Sequence, residues 1–160
     1  MGVKLLMTSK KRDWNLAYLC SLIECIGRMQ KIERDKIVKI LGTEQLKNIY
    51  NSADVLHTAI IENIASDYID EYNIPKGNYD NTISSMYEIP SFWTVGNIFE
   101  TLIQDIHKEE PDKDFITIYV EILNSWIGPA LIDFNDSLFF HDSSYIHECY
   151  KKGDFIDSYY

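Results

Sequence analysis

The 160-residue sequence predicts an all-α fold, a compact bundle of seven or eight helices, on three observations. Apolar residues recur at three- and four-residue steps in one segment after another, the spacing that gathers side chains on one face of a helix. These segments are separated by residues that cap or end helices. Only one pentapeptide, Met86 to Pro90, reads as extended, because the residue before a proline avoids the helical region.

Each helix is justified by its own residues. From Asp13 to Met29, Trp14, Ala17, Tyr18, Leu22, Cys25, Ile26 and Met29 form one apolar stripe. Arg34 to Leu41 makes a short second helix that Gly42 ends, since glycine enters the left-handed region freely. Thr43 then caps a third helix through Leu46, Ile49 and Tyr50 to about Leu56. Thr58 is placed to cap a fourth, with Ile61, Ile64, Ala65, Tyr68, Ile69 and Tyr72 along its buried side. Pro75, Gly77 and the asparagines between Asn73 and Asn81 break the pattern and mark a boundary between two sub-lobes, 1–72 and 91–160, of one domain.

Ser91 caps the next helix, which carries Val95, Ile98, Phe99, Leu102, Ile103 and Ile106 and stops near Lys108. A charged turn, Glu109 to Asp114, leads into a helix faced by Phe115, Ile118, Tyr119, Ile122, Leu123 and Trp126, with the last acids at its positive dipole end. Gly128-Pro129 interrupts that helix. Leu131 to Phe139 and Ser144 to Lys152, the latter closed by Gly153, complete the set.

Charge is unevenly divided along the chain. Residues 1–50 carry ten basic and five acidic side chains, whereas residues 51–160 carry five basic and twenty acidic ones, within a net charge of -10. An exterior this acidic repels phosphate backbones and anionic lipid, which argues against nucleic acid and membrane as partners, and it steers basic partners inward. The only apolar run near the start is Leu5, Leu6 and Met7, too short for a signal core or a membrane span. Cys20, Cys25 and Cys149 are odd in number and lack a C-x-x-C spacing, which fits a cytoplasmic protein better than a disulfide framework or a zinc knuckle.

Motifs for catalysis are scarce. The four histidines include no H-x-x-x-H or H-E-x-x-H pair, and His141 and His147 are six residues apart, off any common helical face, so neither a metal nor another cofactor is expected. Neither a G-x-S-x-G elbow nor a glycine-rich phosphate loop is present.

Part of the chain resembles a known family. Tyr18-Leu19-Cys20, the helix at Glu33–Leu41, Val55-Leu56-His57-Thr58 and Ile69-Asp70-Glu71-Tyr72 are similar to short bacterial helical proteins in which an L-H-T triplet precedes an acidic helix. Members are often encoded beside ADP-ribosyltransferase-like toxins. The resemblance covers roughly the first 70 residues, and the acidic second half departs from it. It implies an accessory or neutralising partner of a toxin.

The expected function is therefore that of a non-catalytic interaction module, an antitoxin, immunity factor or phage-type inhibitor. It would cover a basic surface on a toxin or defence enzyme, with tyrosine and tryptophan anchors fixing the bound state. Candidate contact residues are Glu109, Glu110, Asp112 and Asp114 in the charged turn, with Asp154, Asp157, Tyr159 and Tyr160 in the tail. Two alternatives stand beside it. Residues 35–50 have the length and glycine turn of a helix-turn-helix DNA reader, with Lys36, Lys39 and Lys47 upon it. The other is an enzyme whose site combines scattered carboxylates and histidines. An exposed aromatic stripe on Ser91–Lys108 would suit a homodimer.

Overall fold

The structure is a computed structural model that describes residues 11–83, 85–135 and 138–156. The described residues form seven α-helices and a 3-10 turn, with no strand. In chain order these are α1 (Trp14–Gln30), α2 (Arg34–Leu56), α3 (Ile61–Tyr72), α4 (Phe92–Glu109), α5 (Phe115–Leu123), α6 (Ile127–Leu131), the 3-10 turn (Leu138–Phe140) and α7 (Ser143–Lys152).

The core is built around α1. Asp13 caps it by accepting from the Leu16 N–H at 3.0 Å, and Lys31 ends it in the left-handed region at φ 54°. The predicted single stripe is too narrow a description. Every residue from Leu16 to Gly27 is buried, because α2, α3 and α4 all pack on this helix. Both α2 and α4 run antiparallel to it. Arg12 and Asp13 meet Glu100 while Ser21 lies against Gly96, and the far end of α1 reaches Arg34 through Glu24.

The two helices expected over 34–56 are one kinked helix. Gly42 is a kink rather than a terminator, at φ 84° and ψ 156°, a region open essentially to glycine alone. Buried Ile37, Val38 and Leu41 on one side of the kink, and Leu46, Ile49 and Ala53 on the other, keep both arms on the core. Thr58 closes this helix instead of capping the next, since its hydroxyl donates to the Val55 carbonyl at 2.7 Å; the following helix starts after Ile60.

The segment after α3 is pinned down. The Gly77 and Tyr79 N–H groups donate to the Gln30 and Lys31 carbonyls, both at 2.8 Å, and the Gln30 amide donates to the Ile74 carbonyl at 2.8 Å. Met86 to Pro90 forms no regular structure, and Met86, Tyr87 and Ile89 are exposed. Further on, the described residues of Leu131–Phe139 do not form the expected single helix. Asp133 accepts from the Asn135 N–H at 3.1 Å, a local bond that competes with helix, and among the described residues that follow, Leu138–Phe140 coils again before α7. Ser91, Asp114 and Asp142 cap α4, α5 and α7 through their side chains, and Gly153 closes α7 at φ 85°.

A buried ion pair ties these elements together. Glu24 on α1 receives both forks of Arg34 from α2, at 2.8 and 2.9 Å, and also Arg28 at 2.9 Å and the Asn81 amide at 3.1 Å. Asn81 donates onward to the Ile132 carbonyl, so α1, α2, the 74–81 segment and the end of α6 share one polar knot inside the core. Burial alone would raise the Glu24 pKa, but the two guanidinium groups and the hydrogen bonds hold it below its ordinary value.

Candidate functional site

A groove opens where the first turns of α1 and α4 meet the end of α2. Its floor is made of small buried side chains, Ala17, Ser21 and Ala53. At Gly96 the two helices approach so closely that a methyl group there would stand 2.0 Å from Ser21 Oγ and 2.7 Å from the Ala17 carbonyl oxygen. Large side chains flanking this close crossing form the walls: Trp14, Tyr18, His57 and Trp93. The groove has a volume of about 480 Å³, within the range of about 300–1,000 Å³ typical of ligand sites. A more open depression of about 440 Å³ shares Trp14, Asn15 and Asp54 and continues past Arg12 to Gln104.

Three of the wall rings form a triangle. Tyr18 lies 6.1 Å from Trp93 and 6.3 Å from His57, His57 lies 6.5 Å from Trp93, and the planes are tilted by 46°, 75° and 74° in that order. Trp14 is 67% exposed and Trp93 42%, unusual for tryptophan beside an apolar recess. The polar groups around them are Asp54, Asn15 and Asn97. The Arg12 guanidinium lies 4.6 Å from the Trp14 ring centre while donating to Glu100 at 3.0 Å and to Asn97, so a cation already rests on this aromatic rim. The Tyr18 hydroxyl is shielded from solvent and has no hydrogen-bond partner among the described residues. Burial, with Tyr68 and Cys25 nearby, pushes its pKa up to about 12, so it keeps its proton at neutral pH.

The carboxylates of the second half are divided between surface and core. Glu62, Asp67, Asp70 and Glu71 line the outer side of α3. Glu100 is turned inward, where it accepts from Arg12, from the Asp13 N–H at 3.0 Å and from Gln104, fixing the start of α1 to α4.

The predicted contact residues in the charged turn are exposed, and most have local partners. Glu109 faces Lys151 at 3.2 Å and His147 at 3.3 Å, Glu110 pairs with Lys113 at 2.9 Å, and Asp114 caps α5 by accepting from the Thr117 N–H at 2.8 Å. Asp112 is exposed on the same turn. Lys151 joins this turn to the end of α7, and exposed Asp154 follows three residues later, so turn and tail begin at one end of the bundle. Asp157, Tyr159 and Tyr160 lie outside the described residues.

Among the described residues no group of three or more His, Cys, Asp or Glu side chains stands close enough to hold a metal ion, and no helix is long and apolar enough to cross a membrane. Cys20, Cys25 and Cys149 are buried and free. Burial raises the pKa of Cys20 well above its usual value and that of Cys25 to about 11, which keeps both as thiols. In the segment 35–50, Lys36, Lys39 and Lys47 are exposed, and Gln45 is held by the hydroxyls of Tyr68 and Tyr72 on α3.

No protein-family model, curated protein or solved structure matches the chain. The site therefore rests on its geometry. Periodicity does not mark its main residues: Trp14 falls within the apolar stripe of the first helix, and His57 lies just past the helix expected to end near Leu56. Trp93 carried a usable signal, because it falls off the apolar stripe Val95, Ile98, Phe99, Leu102 and begins a helix beside the small residue Gly96.

Proposed function

We propose that this chain is a non-catalytic recognition module of the antitoxin, immunity or inhibitor kind, which seats part of a basic partner protein in the groove between Trp14, His57 and Trp93. The observation that carries this reading is the pair of exposed tryptophans on opposite helices, Trp14 on α1 and Trp93 on α4, flanking one apolar recess. Tryptophan is the residue type most enriched among energetic hot spots, and it dominates binding when it can be fully desolvated against a partner. A net charge of -10 supplies the complementary half of the mechanism: long-range attraction gathers a basic partner, and the aromatic groove then retains it. The exposed acids of α3 and of the α4–α5 turn serve that first step.

The test is reconstitution. Proteins retained from the native host by the immobilised wild-type chain, and not by a Trp14→Ala, Trp93→Ala chain, are identified, purified and titrated. The purified partner is expected to bind the wild type at least about tenfold more tightly than Trp93→Ala, since hot-spot truncations cost about 2 kcal/mol or more. A partner that binds both equally well places the contact elsewhere.

A further inference from the structure

The groove has a chemistry more specific than an apolar recess, and the inference drawn from it rests on the docking reading above. Exposed His57 and Trp93 stand 6.5 Å apart with their planes at 74°, and Tyr18, 3% exposed, packs beneath both, so the recess is bounded by two accessible rings set at a steep angle. An aromatic face carries negative electrostatic potential and attracts a cation within about 6 Å of its centre, most strongly when the face is tryptophan. Asp54, which lines the same recess, supplies a full negative charge. The molecule also provides an internal precedent: the Arg12 guanidinium sits 4.6 Å from the Trp14 ring centre at the edge of this groove, with its charge matched by Glu100.

We infer that the groove is a receptor for an arginine side chain on a basic segment of the partner, with the guanidinium stacked against the aromatic walls and paired to Asp54. Arginine suits this site better than lysine. Its planar group stacks on rings and forks onto a carboxylate, and it sheds water more readily than an ammonium on entering an apolar recess. The size of the recess, about 480 Å³, leaves room for the aliphatic stem and a neighbouring apolar side chain against Ala17 and Ala53. The charge of the host molecule favours the same occupant, because a chain at -10 accumulates cationic segments at its surface before any contact forms.

The test uses the full chain and three short, otherwise neutral peptides that differ at one position: arginine, its uncharged isostere citrulline, or norleucine. Indole N–H resonances of Trp14, Trp93 and Trp126 are followed during titration. The arginine peptide should shift Trp14 and Trp93 and leave Trp126 unmoved, and the citrulline peptide should bind at least about tenfold more weakly. Asp54→Asn should remove most of that difference without altering the far-ultraviolet circular dichroism. Equal binding of arginine and citrulline peptides overturns the cation assignment, as does an arginine preference that survives Asp54→Asn. If groove variants still lose the purified partner in either case, the docking reading stands without it. A groove that none of the peptides perturbs also rejects the assignment, and partner binding indifferent to Trp93 rejects the docking reading itself.

Discussion

Replacing Glu24 by glutamine is expected to lower the stability of the fold by about 3–5 kcal/mol, the usual result of removing one partner from a buried ion pair. The reason lies in what is left behind. Arg34 is 4% exposed and Glu24 2%, so the change strands a guanidinium in the core, with Arg28 beside it and one Arg28 nitrogen already lacking a hydrogen-bond partner among the described residues. Chemical denaturation of wild type and Glu24→Gln, with unchanged slope and a shifted midpoint, measures the loss. The same pair sets an acid limit. Glu24 has a folded-state pKa below its ordinary value of 4.5, so its contribution is fully present above that value and is lost as pH falls through the lower, folded-state value. Stability of the wild type should therefore fall as pH drops below about 4.5, more steeply than that of Glu24→Gln. Parallel pH profiles for the two proteins would contradict the role assigned to the knot.

Gly96→Val is expected to be the second severe substitution. Even one methyl group at this position meets Ser21 Oγ at 2.0 Å, the Ala17 carbonyl oxygen at 2.7 Å and the Ser21 nitrogen at 2.9 Å, and two of these are backbone atoms of α1 that cannot swing aside. The helices must separate. Overpacking of this kind costs about 1–3 kcal/mol, and valine, with two further carbons in the clash, belongs at the upper end. The effect should extend to the groove, because the same crossing sets the floor between Trp14 and Trp93. A raised unfolding temperature, or an unaltered one, would show that the α1–α4 approach is looser than these distances.

Several elements were legible in the sequence because their signals are local. Asp13 begins the first helical pattern, Ser91 has the residue type of an N-cap and Gly153 that of a terminator, and their own backbone and side-chain chemistry places them so. The readings that failed depended on tertiary context. Thr58 has the residue type of an N-cap and instead closes the helix behind it. The stripe on the first helix missed Leu16, Leu19 and Ile23, although a helix apolar all round is the mark of a central one. Leu131–Phe139 has enough apolar residues for a helix, but Asp133 turns the chain first. The groove was less legible than the fold, since it is assembled from three helices and depends on glycine, alanine and serine lying opposite tryptophan. Nor does composition reveal that Glu100 faces inward or that Glu109 and Glu110 are matched by lysines.

The proposed function divides labour: exposed acids would set how fast a basic partner arrives, and the Trp14–Trp93 groove how long it stays. The most direct measurement is a pair of rate constants for the purified partner, taken over a range of salt, against Trp93→Ala and against a chain with Asp67, Asp70, Glu71 and Asp112 neutralised to amides. The tryptophan variant should dissociate at least about tenfold faster with association changed by less than about twofold, and the neutralised chain should associate more slowly with a flatter salt dependence. Slower association in the tryptophan variant, together with faster dissociation in the neutralised chain, would contradict the account.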